Sequence, residues 1–388
     1  MNDFIYLDNS ATTRICDEAL RKYNDVSLSC FGNPSSLHGK GVDAEGEINA
    51  ARKIILDSIN ATNCNLFFTS SGTEANNLAI LGRAFAKERF KNGAKIITTQ
   101  GEHASVNQPL EALKKLGYKI AYISTRGGAI DLDELANELT SDTILVSVMM
   151  VKNETGAVYN IPAIKRTMIS KGSTALLHVD ATQGFMKIPF TKSAIGADMI
   201  TLSAHKIEGP KGVGALVVDS SAIKSRELSA ITLGGGQEGG YRSGTENVPG
   251  ICAFGEAVRV YSESLSERIT HIAGLRDYLV SELADKIPEI SITNPEYHAP
   301  HILNITLPSI KSETTLHYLS SLGIYVSSGS ACSSNSRHRE SALVAYGRSE
   351  READCSIRIS TSHRNTRQDI DALVSALREA VNRLARMR

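Results

Sequence analysis

The sequence predicts an α/β protein: a large domain with a mostly parallel central sheet, followed by a smaller α/β domain at the C-terminus. Three observations predict it. Strand-sized runs at 95–99, 144–151, 175–179, 199–203 and 213–218 are almost continuously apolar, as strands covered on both faces are. Segments of helical periodicity lie between most of them, and strands alternating with helices indicate a parallel sheet between helical layers. The chain has 388 residues, enough for two or three domains of roughly 100–200 residues each.

The elements follow in order. Phe67-Phe68-Thr69 reads as the end of a strand, and Ser70-Ser71-Gly72-Thr73-Glu74 as a small polar turn into a helix. Ser71 and Glu74 have the spacing of a capping box. Leu78, Leu81 and Phe85 recur at helical spacing, with Gly93 expected as the stop. The most concentrated apolar run, 143–151, is strand-sized and far short of the roughly 18 residues of a membrane span. From Pro249 to about Asp285 the pattern is helical with few breakers, and we read it as the passage into the second domain. There 302–307, 323–326 and 356–360 read as strands. Ile370, Leu373, Val374, Leu377, Val381 and Leu384 form the apolar stripe of a last helix. The expected division is 16–255 for the large domain and 256–388, with 1–15, for the small one.

Apolar residues make up 41% and charged residues 22%, an ordinary globular composition. Lysine plus arginine and aspartate plus glutamate number 42 each. Zero net charge argues against a broad electrostatic footprint for nucleic acid or an anionic membrane. The N-terminus, Met1 to Tyr6, carries no basic region and no long apolar stretch, so no signal peptide is expected and a cytoplasmic location is. No repeat, low-complexity linker or metal-ligand spacing stands out. Six cysteines at 16, 30, 64, 252, 332 and 355 are too sparse for a disulfide scaffold and form no CxxC pair. Five read as structural thiols. Cys332 differs, because 327–336 is almost all Ser, Gly, Ala and Asn. Such a segment is expected to be a mobile, exposed loop, and exposure is what a nucleophilic thiolate needs.

Three stretches carry chemistry. The turn at 70–74 opens a helix, whose unpaired N–H groups and dipole suit a phosphate; taken alone it is equally a plain N-cap. Asp180 follows an apolar strand in His178-Val179-Asp180-Ala181-Thr182-Gln183. That is where α/β sheets bind ligands, and its carboxylate could hold a protonated pyridine nitrogen or simply cap the next turn. Lys206 lies between strands in Ser203-Ala204-His205-Lys206-Ile207-Glu208-Gly209-Pro210-Lys211-Gly212. A lysine so placed can form a Schiff base, although most lysines are solvated surface groups. Together the three are the parts that a pyridoxal phosphate site needs.

At this point the chain resembles the cysteine desulfurases of the NifS/IscS type, within the class V aminotransferase family. The matching stretches run in order over essentially the whole chain, from Tyr6-Leu7-Asp8-Asn9-Ser10-Ala11-Thr12-Thr13 to Ile357-Arg358-Ile359-Ser360. Between them lie Asn33 to His38, Ser71 to Asn77, Asn153-Glu154-Thr155-Gly156, Gly234 to Glu238, Arg242-Ser243-Gly244-Thr245 and Ser327 to Ser334.

The resemblance implies the pyridoxal phosphate-dependent fold type I and a set of roles. Lys206 would carry pyridoxal phosphate as a Schiff base, Asp180 would pair with the pyridine N–H, and Gln183 would reach the ring oxygen. Gly72, Thr73, Ser203 and His205 would hold the phosphate, and Thr245 would reach it across a homodimer interface. His103 matches the histidine stacked on the ring and proposed as an acid/base. Arg358 would clamp the substrate carboxylate, a task whose bidentate geometry favours arginine, and Asn153 would support that carboxylate or the cofactor oxygen. Cys332, in the catalytic loop at about 327–340, would take sulfur from L-cysteine as a persulfide, leaving L-alanine. The sulfur would pass to a protein acceptor, an iron–sulfur scaffold or a tRNA-thiolation enzyme. A selenocysteine lyase or an aminotransferase is the alternative within the family; an aminotransferase needs no thiol at Cys332. A non-catalytic sulfur-carrier platform would have no reason to hold Lys206, Asp180, His103 and Cys332 together. The chain departs from the family pattern at Arg14, Val42, Lys152, 239–241 and 337–339.

Overall fold

Alternation along the central strands sorts side chains onto two faces, each with its own core. The computed structural model describes residues 4–91, 93–308, 310–328 and 342–384. Strands β1 (Ile5–Tyr6), β2 (Cys64–Thr69), β3 (Lys95–Thr99), β4 (Lys119–Ile123), β5 (Thr143–Met149), β6 (Leu176–Asp180), β7 (Met199–Ser203) and β8 (Gly214–Asp219) come first. β2 to β8 form a seven-stranded sheet in the order β2-β8-β7-β6-β5-β3-β4. Only β8 runs against its neighbours, so the sheet is mostly parallel. Every residue of β5 is buried. Val146 and Val148 join one core with Ile97, Leu177, Val179, Ile200 and Leu202, and Leu145 joins the other with Ile96, Met199 and Leu216.

The expected runs at 95–99 and 199–203 are β3 and β7. The other central strands are shifted by one or two residues. The run to 151 ends at Met149, because Val151 turns away to bridge Val158. β4, whose apolar run Ile120-Ala121-Tyr122-Ile123 the sequence reading passed over, is an edge strand in which only Ile123 is buried. The helix after β2 ends at Ala84, short of the expected stop at Gly93; Phe85 is its C-cap and a 3-10 turn at Glu88–Lys91 follows.

A second sheet is antiparallel, in the order β12-β13-β10-β9, made of β9 (Ser291–Thr293), β10 (Ile302–Thr306), β12 (Ser327–Ser328) and β13 (Ser356–Ser360). The run expected at 323–326 is a two-residue strand, β11 (Ile324–Tyr325), paired in parallel with β1. Leu7 therefore lies in the core of the smaller sheet, with Leu303, Ile305, Ile357 and Ile359. Ile370, Leu373, Val374 and Leu377 of the last helix, Arg367–Leu384, complete that core.

One helix, Val248–Lys286, joins the two cores, broken at Ser264 where φ is −129°. Its residues Val248 to Tyr261 pack with the central sheet, and Leu275, Leu279 and Leu283 with the smaller one. The expected boundary at 255/256 thus falls inside a single helix. Among the described residues no helix is long and apolar enough to cross a membrane, and no group of His, Cys, Asp and Glu could hold a metal ion. Cys16, Cys64, Cys252 and Cys355 are buried, and Cys30 is half-buried. Cys332 and most of its loop lie outside the described residues.

Candidate active site

A cavity of about 310 Å³ opens at the C-terminal ends of β5, β6 and β7, the ligand-binding edge of a parallel sheet. β2 delivers the turn at 70–71 and the helix Gly72–Ala84. Ser71 caps that helix, accepting the Glu74 N–H at 3.2 Å. The capping box is only half formed, because the Glu74 carboxylate accepts from the Ser70 N–H at 2.6 Å and from Arg242 Nε at 2.9 Å. A Cβ at Gly72 would lie 3.2 Å from Thr182 Oγ1 and 3.3 Å from Ser203 Cβ. Glycine therefore lets the helix start sit close against the ends of β6 and β7.

Asp180 is the last residue of β6 and is buried. Its Oδ1 accepts the Thr182 N–H at 2.9 Å and its Oδ2 accepts from Asn76 Nδ2 at 2.8 Å. No cation pairs with it among the described residues, so the carboxylate is oriented by dipoles and open to a cationic partner. His178, two residues earlier, is a strut inside the sheet, with Nδ1 2.9 Å from Ser147 Oγ and Nε2 3.0 Å from Thr201 Oγ1. Burial lowers its pKa to about 4, against the pull of Asp180, and it is neutral at pH 7.

His103 caps the helix Ala104–Lys115. Its Nδ1 accepts the Ser105 N–H at 3.1 Å and lies 2.8 Å from Ser105 Oγ, which orients the ring against the cavity. Lys206 sits in the 3-10 turn Ala204–Lys206 directly after β7. Its Nζ donates to the carbonyls of Ser10 at 2.6 Å and Ala11 at 2.7 Å. Gln183 Nε2 shares the Ser10 carbonyl at 2.8 Å. His205 Nδ1 lies 3.0 Å from Thr12 Oγ1. Burial, then the charges of Lys206, Lys211 and Lys187, lower the His205 pKa to about 4.

β13 brings Arg358 to the opposite wall, where it is 7% exposed. Nη2 donates to Asp8 Oδ1 at 2.7 Å and Nη1 to the Asn153 carbonyl at 3.1 Å, while Nε has no partner. Ser327 of β12 lines the same wall, in register with Arg358.

The cavity therefore gathers Gly72, Thr73, His103, Asn153, Asp180, Gln183, Ser203, His205 and Lys206 from the ends of β2, β3, β5, β6 and β7, and Arg358 from the middle of β13. The class V aminotransferase family model matches residues 5–373. The chain belongs to the class V aminotransferase family. Its similarity to the cysteine desulfurase IscS of Dictyoglomus turgidum is 35% identity over 98% of this chain and 95% of that one. Among solved structures, a NifS-like protein is 34% identical, with a TM-score of 0.90 over 98% of this chain and 99% of that one. The structure of SspA in complex with cysteine is 28% identical, with a TM-score of 0.77 over 93% of this chain and 100% of that one. The fold is type I of the pyridoxal phosphate-dependent enzymes.

The class V cofactor, pyridoxal phosphate, can be tested against the side chains. Ser203 Oγ, Asn76 Oδ1 and Ser10 Oγ are buried without a hydrogen-bond partner, and such atoms call for an occupant. The Ser203 hydroxyl and the helix start at Gly72 and Thr73 form a phosphate cradle at one end. Asp180 supplies an anion further in. The donor set fits the group.

Of two further expected members, one does not line the cavity and the other is not among the described residues. Thr245 is exposed and away from the cavity. Cys332 lies outside the described residues, yet both flanks of its loop reach the cavity region. Ser327 lines the wall, and a Cβ at Gly101, two residues before His103, would be 3.3 Å from Ala342 Cα.

Sequence reasoning gave no role to Asp8, Asn76, Ser105 or Glu102. Asn76 was detectable, since it lies four residues after Gly72 and shares its helix face. Glu102 and Lys152 are both buried beside the site. Burial raises the Glu102 pKa to about 7, opposed by hydrogen bonds from the Thr99 hydroxyl and the Met149 N–H and by Lys152. Burial also lowers the Lys152 pKa, against Glu154 and Glu102.

Proposed function

We propose that this protein is a cysteine desulfurase that holds pyridoxal phosphate on Lys206, moves sulfur from L-cysteine to Cys332 and releases L-alanine. The observation that carries the reading is the convergence of Lys206, Asp180, His103 and Arg358 on one cavity whose wall, at Ser327, leads into the Cys332 loop. Gly72, Thr73, Ser203 and His205 would hold the phosphate, Asp180 the ring N–H, and Gln183 the ring oxygen. Bound there, the cofactor would supply an electron sink for the electrons left when the substrate loses its Cα proton.

The remaining work belongs to the chain. Arg358, aimed by Asp8, binds the substrate carboxylate as a planar fork. Lys206 Nζ is the amine available to take the Cα proton, and the carbonyls of Ser10 and Ala11 define its resting place. His103, its Nδ1 engaged by Ser105, presents its ring for proton transfer at the substrate. The Cys332 thiolate attacks the substrate sulfur, so that the S–S bond of a persulfide forms as the substrate's Cβ–S bond breaks, and the carbon fragment that keeps the electron pair is protonated to alanine. The exposed Thr245 supports a homodimer in which it faces the partner's site.

Incubation with L-cysteine and a reductant, measuring alanine and sulfide together, tests the reading. Equal yields are expected; alanine without sulfide, or neither, overturns it.

A further inference from the structure

Two residues beyond Lys206, Glu208 is 1% exposed and adopts φ +59°, a conformation few non-glycine residues hold without a reason. Its backbone faces the N-terminal segment. The Glu208 N–H donates to Thr13 Oγ1 at 2.8 Å, and its carbonyl accepts the Cys16 N–H at 2.9 Å. Thr13 in turn donates through its hydroxyl and its N–H to the His205 carbonyl, at 2.9 and 3.0 Å. The lysine turn is thus stapled along its backbone.

The Glu208 carboxylate points the other way, towards two arginines and a histidine whose pKa burial lowers to about 4, so that it is neutral at pH 7. It accepts from Arg364 Nε at 3.0 Å and Nη2 at 3.4 Å. Arg268 Nη1 stands at 3.8 Å and His363 Nδ1 at 3.6 Å. Arg268 lies just past the break in the helix Val248–Lys286, and residues 363–364 follow β13, the strand of Arg358. One buried carboxylate therefore joins the turn of the cofactor lysine to the long helix before the smaller sheet and to the segment after its strand β13.

The same carboxylate opposes the burial and like charges that lower the pKa of Lys187, a neighbour of Lys206. A narrow second cavity behind that lysine is lined by Lys206, Lys187, Arg268, His301 and His363. Lys187 feels both Lys206 and Arg358 as repulsive charges and Glu208 as the attractive one. The other titratable groups facing Glu208 are Tyr261 from the long helix and Cys16 from the N-terminal segment. Among the described residues Glu208 is the carboxylate within this cation cluster.

We propose that Glu208 is a positioning residue for Lys206, clasping the lysine turn to Arg268, His363 and Arg364 and offsetting the cations around the lysine amine. This rests on the reading of Lys206 as the cofactor lysine. Removing a nearby anion disfavours a protonated nitrogen, and removing a nearby cation favours it. The test is a pH titration of the visible absorption band of the pyridoxal phosphate-loaded protein. Glu208→Gln is expected to move the midpoint down by about half a unit to one unit, and Arg364→Met to move it up by a similar amount. A clasp without electrostatic effect would loosen the turn in both variants and move both midpoints the same way, or neither, and either result overturns the proposal. Should Glu208→Gln not fold, Arg364→Met, at a half-exposed side chain, decides the matter alone: an upward shift supports the proposal and an unmoved midpoint overturns it. A wild-type protein with no titrating band overturns the reading of Lys206 as well, whereas a normal wild-type band with unmoved variants overturns only the role of Glu208.

Discussion

Asn76 Nδ2 lies 2.8 Å from Asp180 Oδ2 and 2.8 Å from Ser105 Oγ. One amide thus ties the phosphate-end helix to the carboxylate at the end of β6 and to the turn that holds His103. Its Oδ1 has no partner and is buried. Asn76→Ala removes a charge-assisted hydrogen bond worth roughly 1.5–3 kcal/mol. We expect pyridoxal phosphate affinity to fall at least tenfold in equilibrium dialysis, with the circular dichroism of the fold retained.

Cys332→Ala should bind cofactor and remain yellow, yet make neither persulfide nor sulfide from L-cysteine. Sulfide release at the wild-type rate would remove Cys332 from the mechanism.

Borohydride reduction of the loaded protein should fix the cofactor to the peptide containing Lys206. Mass spectrometry finding the label on Lys187 or Lys211, the other lysines whose charge reaches His205, would move the site.

Arg358→Lys keeps the charge but loses the fork that Asp8 and the Asn153 carbonyl hold. KM for L-cysteine should rise about tenfold or more, with a smaller change in kcat. Asp8→Asn should produce a weaker version of the same split. An unchanged KM in Arg358→Lys would mean that the carboxylate binds elsewhere.

The buried Glu102 carries a pH signature. Its folded pKa is raised to about 7, so between the ordinary carboxylate range and pH 7 the folded state holds a proton that the unfolded state has lost. Stability from this group is therefore present at low pH and falls as pH rises through that window, by up to about 3 kcal/mol. His178 and His205, lowered to about 4, act oppositely, losing stability as pH falls below the usual histidine range. The comparison that isolates Glu102 is the wild type against Glu102→Gln. The variant's Tm advantage should grow from pH 5 to pH 8 in scanning calorimetry; parallel profiles would show that Glu102 titrates normally.

Much of the fold was legible because β5 and its neighbours are buried on both faces, and full burial writes itself as an unbroken apolar run. β4 was missed although Ile120 to Ile123 is an apolar run; as an edge strand it has only one buried residue. Phe85 misled the helix reading: it sits at the right spacing, but as an exposed C-cap. Asp180 and Lys206 were candidates because each follows an apolar strand, whereas His103 was named only through the family resemblance. Their partners were not. Asp8 serves Arg358 from 350 positions away, Asn76 serves Asp180 from 104, and Arg364 serves Glu208 from 156.

The sequence by itself determined the strands, the helix starts and which residue types were available for chemistry, because burial, capping and turn formation act over a few neighbouring residues. The tertiary structure alone decided which of them meet. The order β2-β8-β7-β6-β5-β3-β4 sets which strand ends lie side by side, and the packing of the long helix sets Arg268 beside Glu208. A hydrogen bond depends on distance in space, which chain order does not encode.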